Sequence, residues 1–176
     1  MKTTETTQNI TLDTAAIHTC GCIDFRALAK AYLVDTSMKL ELHDVFVSAQ
    51  KALYWMDMQE RQSRGTCSDN IWFFNRCMSN RNDNWVELPK TIDDNIVKTA
   101  GFVMRRLCVI SSALARRGMP RILTRCFLRD EKGFFREYDA LTVVQNLDWA
   151  FEMNLGKSLR DIDWTEQMEK VLKEVK

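Results

Sequence analysis

Between Thr91 and Gly118 the apolar positions recur at steps of three and four. Ile92, Ile96, Ala100, Val103, Leu107, Ile110 and Leu114 make one stripe on a helix of 3.6 residues per turn. The ends are punctuated. Thr91 is a suitable N-cap with Asp94 three residues on, and Asp93 and Asp94 suit the positive end of the helix dipole. Arg116 and Arg117 suit the negative end, Gly118 the left-handed C′ position, and Pro120 blocks continuation. The pattern predicts a long central helix over 91–117, with the other helices packed around it.

Asp24 can cap a short helix whose apolar positions are Phe25, Leu28, Ala29, Tyr32 and Leu33. Val34 to Ser37 reads as a break. A helical period runs through Leu42, Val45, Phe46, Ala49, Ala52, Leu53 and Met56 and ends near Arg64 and Gly65. Just before it, MKLELH alternates with period two, which leaves a short strand as the alternative there. Ser68 can open a helix through Ile71, Trp72, Phe73, Phe74, Cys77 and Met78, followed by the loop SNRNDN. After Pro120, two alternating runs flank a turn ending in Gly133, which predicts a β-hairpin over 121–139. Asp139 or Thr142 opens the next helix, with Leu141, Val144, Leu147, Phe151 and Leu155 inward and Gly156 at its end. Asp163, with Glu166 three residues on, opens the last, whose narrow stripe is Trp164, Met168, Val171, Leu172 and Val175.

The expected fold is therefore mainly α (α+β in detail): one domain over 14–176, about six helices and one hairpin, behind a mobile polar tail over 1–13. Composition agrees. Hydrophobic residues at 45% argue against disorder, and six glycines with two prolines favour helices over a many-turned β fold. The N-terminal stretch has no apolar core of a signal peptide, and no apolar run reaches a membrane span. The expectation is a cytoplasmic chain, no membrane partner, and six reduced cysteines.

Charge changes the picture more. The net charge of +1 conceals three blocks. Residues 1–94 hold ten basic and thirteen acidic side chains, and residues 130–176 hold seven and eleven. Residues 95–129 between them hold eight basic side chains and no acidic one. Such a belt suits an anionic partner. On the helix, Lys98, Arg105 and Arg116 share a face, and Arg106 adjoins it. In the hairpin, register decides. Pairing Arg129 with Phe134 puts Arg125, Phe127, Arg129, Phe134, Arg136 and Tyr138 on one face, where guanidiniums hold phosphates and rings stack on bases. Pairing Asp130 with Phe134 instead sets the arginines beside Glu137 and Asp139, an ordinary salt-bridged surface, and Gly133 favours this register.

Two constellations suggest metal. His43-Asp44, with His18 and Asp94, follows the order of ligands in HD-type hydrolases, but nothing else near His43 matches that family; otherwise His43 is a solvated residue near a helix start. His18-x-Cys20-x-Cys22 holds three possible zinc ligands, but at one-residue spacing and without a second pair at a fixed distance. No catalytic residue, metal ligand or cofactor is assigned. The lead expectation is a non-enzymatic protein binding DNA or RNA through Lys98, Arg105, Arg106, Arg116, Arg121, Arg125, Phe127, Arg129, Phe134, Arg136 and Tyr138. The main alternative is an adaptor or inhibitor that binds an acidic protein, through the same belt or through Trp72, Phe73 and Phe74. The HD-like hydrolase is a third option. The narrow stripe of the last helix would also suit a second copy of the chain.

Overall fold

In the computed structural model, the residues described are 19–63, 93–124 and 137–174. Chain order begins with a small antiparallel hairpin, β1 (Thr19–Cys20) and β2 (Ile23–Asp24), with Thr19 opposite Asp24 and Cys20 opposite Ile23. Gly21 opens its two-residue loop at φ +61°, the conformation glycine adopts without strain. A side chain at Gly21 would also collide with the carboxamide of Asn146. The Asn146 amide in turn donates to the buried sulfur of Cys22 at 3.3 Å.

Helix α1 (Phe25–Val34) follows directly, and the Asp24 carboxylate caps it by accepting from the Ala27 amide at 3.0 Å. Helix α2 (Thr36–Ser63) starts only two residues after α1 ends. The expected break shrinks to Asp35, whose carboxylate accepts from the Met38 amide at 2.6 Å. The MKLELH stretch is helical, not a strand. A good N-cap at Asp35 and apolar steps from Met38 to Leu42, Val45 and Phe46 outweigh three alternating positions, and all four residues are buried.

Helix α3 spans Asp94–Arg116. Its cap is Asp93 rather than Thr91: the Asp93 side chain accepts from the Asn95 amide at 2.8 Å. Aspartate is at least as good a cap as threonine. The predicted stripe is buried from Ile96 through Ala100, Val103, Leu107, Ile110 and Leu114. Gly118, at φ +74°, closes the helix: its amide donates to Ala115 O at 3.1 Å and the Met119 amide to Leu114 O at 2.9 Å, the Schellman pattern.

Helix α4 spans Glu137–Leu155, a 3₁₀ turn covers Leu159–Asp161, and helix α5 spans Trp164–Glu174. Asp163 caps α5 by accepting from the Glu166 amide at 3.0 Å. Five of the six expected helices thus lie among the described residues; the sixth, at 68–78, lies outside them, as does the 1–13 tail.

The hairpin over 121–139 is corrected at both ends. Residues Glu137 to Asp139 form the first turn of α4, so neither register can reach them. The segment after α3 pairs elsewhere. Leu123 bridges to Ile23, the Asp24 amide donates to Ile122 O at 2.8 Å, and the Thr124 amide donates to Cys22 O at 2.9 Å. The free edge of β2 supplied a partner that the local pattern could not reveal. The helical period of α4 also begins early, at Ala140 and Leu141, and the helix extends one turn before them.

The buried residues form one continuous cluster drawn from all five helices. Within it Phe25, Phe46, Phe151 and Trp164 meet with centroids 4.7–5.7 Å apart, three of the four contacts edge-to-face. The roles of the helices differ from the expectation. Helix α2 touches every other helix, and α4 is the most enclosed, with only Trp149, Glu152 and Met153 exposed between residues 140 and 153. Helix α3 packs on α2 and α4 and leaves its remaining face to solvent.

A polar clamp fixes the 3₁₀ turn to the core. The Gln50 side-chain amide donates to the carbonyls of Leu159 and Ile162, each at 2.8 Å. Asp148, buried on α4, accepts from Ser158 Oγ at 2.7 Å and the Leu159 amide at 2.8 Å, and pairs with Arg160. Arg160 also forks onto Asp57 of α2, at 2.6 and 3.0 Å.

Candidate nucleic-acid interface

The open face of α3 follows from its sequence. With the apolar stripe turned to α2 and α4, positions 98, 102, 105, 109, 112 and 116 point the other way. Lys98, Arg105, Val109 and Arg116 are exposed there, and Phe102 and Ser112 are half-buried. Lys98 and Arg116 are about 27 Å apart along the axis, at about 1.5 Å per residue. Arg117 and Arg121 extend the charge around the end of the helix and are both exposed. Among the described residues, none of Lys98, Arg105, Arg116, Arg117 and Arg121 forms an ion pair.

Arg106 is different. It lies at the edge facing α2, and its Nη2 is 3.4 Å from Oε2 of Glu41, with both side chains about 40% exposed. Arg105 lies back along its own helix: a Cβ on Gly101 would be 3.2 Å from Nη1 of Arg105. Glycine in mid-helix costs about 1 kcal/mol against alanine, and here it leaves room for the guanidinium to rest against the helix.

Helices α2 and α3 run antiparallel, held at one end by Glu41–Arg106 and at the other by the Asp93 amide donating to Gln59 Oε1 at 3.3 Å. By helical spacing, Ser48 and Trp55 fall in line with Glu41 on α2, and Thr99 and Phe102 with Arg106 on α3; all four are half-buried. The two rings pack partly against the core, and the Lys51 ammonium sits 5.5 Å from the centre of the Trp55 ring. Sequence reading missed this cation–aromatic edge, whose signal is the Lys-x-x-x-Trp spacing of one helical turn.

Of the predicted interface, the structure therefore brings together Lys98, Arg105, Arg116 and Arg121, and ties Arg106 to Glu41. Arg125, Phe127, Arg129, Phe134 and Arg136 lie outside the described residues, as do Trp72, Phe73 and Phe74. Tyr138 belongs to the first turn of α4, so it is not part of a hairpin face.

The metal constellations do not assemble as the spacing suggested. His43 is fully buried rather than solvated, while the neighbouring Asp44 is exposed on another side of α2. The imidazole Nε2 meets the Tyr32 hydroxyl at 2.8 Å, and the ring packs against Trp164, Tyr32 and Phe46 at 5.4, 5.6 and 6.4 Å. Burial, with a smaller push from Lys39, lowers its pKa from 6.5 to about 4. Its Nδ1 and the Trp164 Nε1 have no hydrogen-bond partner among the described residues. Cys22 holds Asn146 instead, His18 lies outside the described residues, and among those described no three His, Cys, Asp or Glu side chains are grouped to hold a metal ion.

Among the described residues no helix is long and apolar enough to cross a membrane. No protein-family model, curated protein or solved structure matches the chain.

Proposed function

We propose that the chain is a non-catalytic nucleic-acid-binding protein whose α3 face holds phosphates. One observation carries the reading: five cationic side chains stand in water along one helix face and its terminal turn, with no carboxylate of the described residues against them. Each can displace a counterion condensed on a polyanion. The test is fluorescence anisotropy with unrelated oligonucleotides at low salt. Binding is expected, and Arg105→Ala and Arg116→Ala should each weaken it to a similar degree on every sequence. No binding to any oligonucleotide at low salt would end this reading.

A second reading, docking of an acidic protein, is favoured by Val109, which is 55% exposed in the middle of the cations. An exposed valine adds nothing to phosphate contact but suits an apolar anchor on a protein. Val109→Ala separates the two: it leaves oligonucleotide affinity alone and lowers affinity for an acidic protein partner.

A further inference from the structure

We infer that the ligand of the α3 face is the phosphate backbone of a duplex, gripped without reading its bases. This rests on the nucleic-acid reading above and narrows it.

Single-stranded ligands are held largely by stacking bases on open aromatic rings. The one ring in the outward row of α3 is Phe102, which is half-buried against the core and offers no clear stacking surface. Base reading in a groove uses extended arginines or the paired donors and acceptors of Asn and Gln. The outward positions of α3 from 98 to 116 are Lys98, Phe102, Arg105, Val109, Ser112 and Arg116, with no carboxamide among them. The arginine in the middle of the row lies along the helix over Gly101 instead of standing out from it. What the face does offer is charge on a rigid rod. Its roughly 27 Å match about eight base pairs of duplex at 3.4 Å each.

The preference has an expected size. Log affinity falls with log salt by about 0.9 per phosphate contact on B-DNA and about 0.7 on single strands. For contacts from Lys98, Arg105, Arg116, Arg117 and Arg121, and equal affinities near 1 M salt, the two ligands differ by about tenfold at 0.1 M salt.

The test compares a labelled 20-base-pair DNA duplex, a scrambled duplex of equal length, the two separate strands, an RNA duplex and polyglutamate, each across a salt series. The expected result is equal affinity for the two DNA duplexes within about threefold, strands about tenfold weaker at 0.1 M salt, and a slope near −4.5. Arg105→Ala and Arg116→Ala should each make that slope about 0.9 shallower, and Arg105→Lys should restore it. Circular dichroism confirms that the variants are folded. The RNA arm shows which duplex is preferred; equal or tighter RNA binding still supports backbone recognition. Single strands binding as tightly as the duplex, or one DNA sequence preferred by more than tenfold, would overturn this inference and leave the nucleic-acid reading standing. Binding of polyglutamate alone would overturn both.

Discussion

Arg160 and Arg105 are the same side chain in opposite situations. Arg160 closes the clamp at the 3₁₀ turn. Two carboxylates, on two different helices, hold its guanidinium, and one of them is buried. Burial works against its charge, but the hydrogen bonds and charges of Asp57 and Asp148 outweigh that and keep its pKa raised. Arg105 has water and its own helix for company. The difference shows how this chain sorts its cations. At the clamp the fold supplies acids from distant parts of the sequence, and along α3 the one ion pair among the described residues is Glu41–Arg106 at the edge. His43 completes the series. Buried, with Lys39 nearby and no acid in contact among the described residues, it has its pKa lowered to about 4 and is held as the neutral base at pH 7.

The largest effect should come from breaking the clamp. Asp148→Ala leaves the Leu159 amide and the Ser158 hydroxyl without their acceptor and removes one of the two acids on Arg160. Leaving the buried Leu159 amide without an acceptor costs about 1–3 kcal/mol, and losing the charge-assisted hydrogen bond to the part-exposed Arg160 adds about 1.5 kcal/mol, measured by urea denaturation. A cost below about 1 kcal/mol would mean that the clamp is no more than a surface ion pair, and the contrast with α3 would fail.

His43 gives the next effect, visible in pH dependence. In the unfolded chain the imidazole takes up a proton near pH 6.5, but in the folded chain only near 4. Between those values the unfolded state binds more protons, so stability falls as pH is lowered through that window. At most about 3 kcal/mol is lost, and this group contributes no further change below pH 4. The groups in contact with it are Tyr32 on α1, Phe46 on α2 and Trp164 on α5, with Lys39 one turn away on α2. His43→Phe should remove this part of the slope. An unchanged slope would show that His43 titrates normally and is not enclosed.

These contrasts also mark what the sequence could reveal. The stripe of α3, its Gly118 terminus, the Asp24 and Asp163 caps and the inner face of α4 were legible, because each is set by residues within a turn or two of one another. The clamp was not. Asp57, Asp148 and Arg160 are brought together by packing, and nothing local to any of them announces the others. The same limit hid the pairing of residues 122–124 with β2 and led to a hairpin over 121–139. It also placed His43 in solvent, because a helix start marks the backbone and does not say whether α5 will cover it. The exposed cations of α3 were readable from the helical period, whereas their lack of ion pairs with the described residues required the positions of α2 and α4.

Glu41 and Arg106 test the boundary between the two regions. Their contact resembles the clamp in kind but is about 40% exposed on both sides. Such a pair contributes about 0.5 kcal/mol or less. Glu41→Gln should therefore barely change stability while releasing Arg106 to the open face. If α3 binds nucleic acid, this variant gains a phosphate contact, and its salt slope steepens by about 0.9. A stability loss comparable to that of Asp148→Ala would instead place Arg106 among the structural cations.

The smallest effect on the fold is expected for Arg105→Ala, and here a small number is the informative one. The side chain is exposed, pairs with no acid among the described residues, and lies over a glycine that needs no cover. Surface changes of this kind move the melting temperature of a domain this size by less than about 2 °C. A side chain that the fold does not use can be removed without loss, so any loss of oligonucleotide binding in the variant reports on the interface alone. If the melting temperature fell by several degrees, Arg105 would be holding α3 in place, and a weakened affinity could no longer be assigned to phosphate contact.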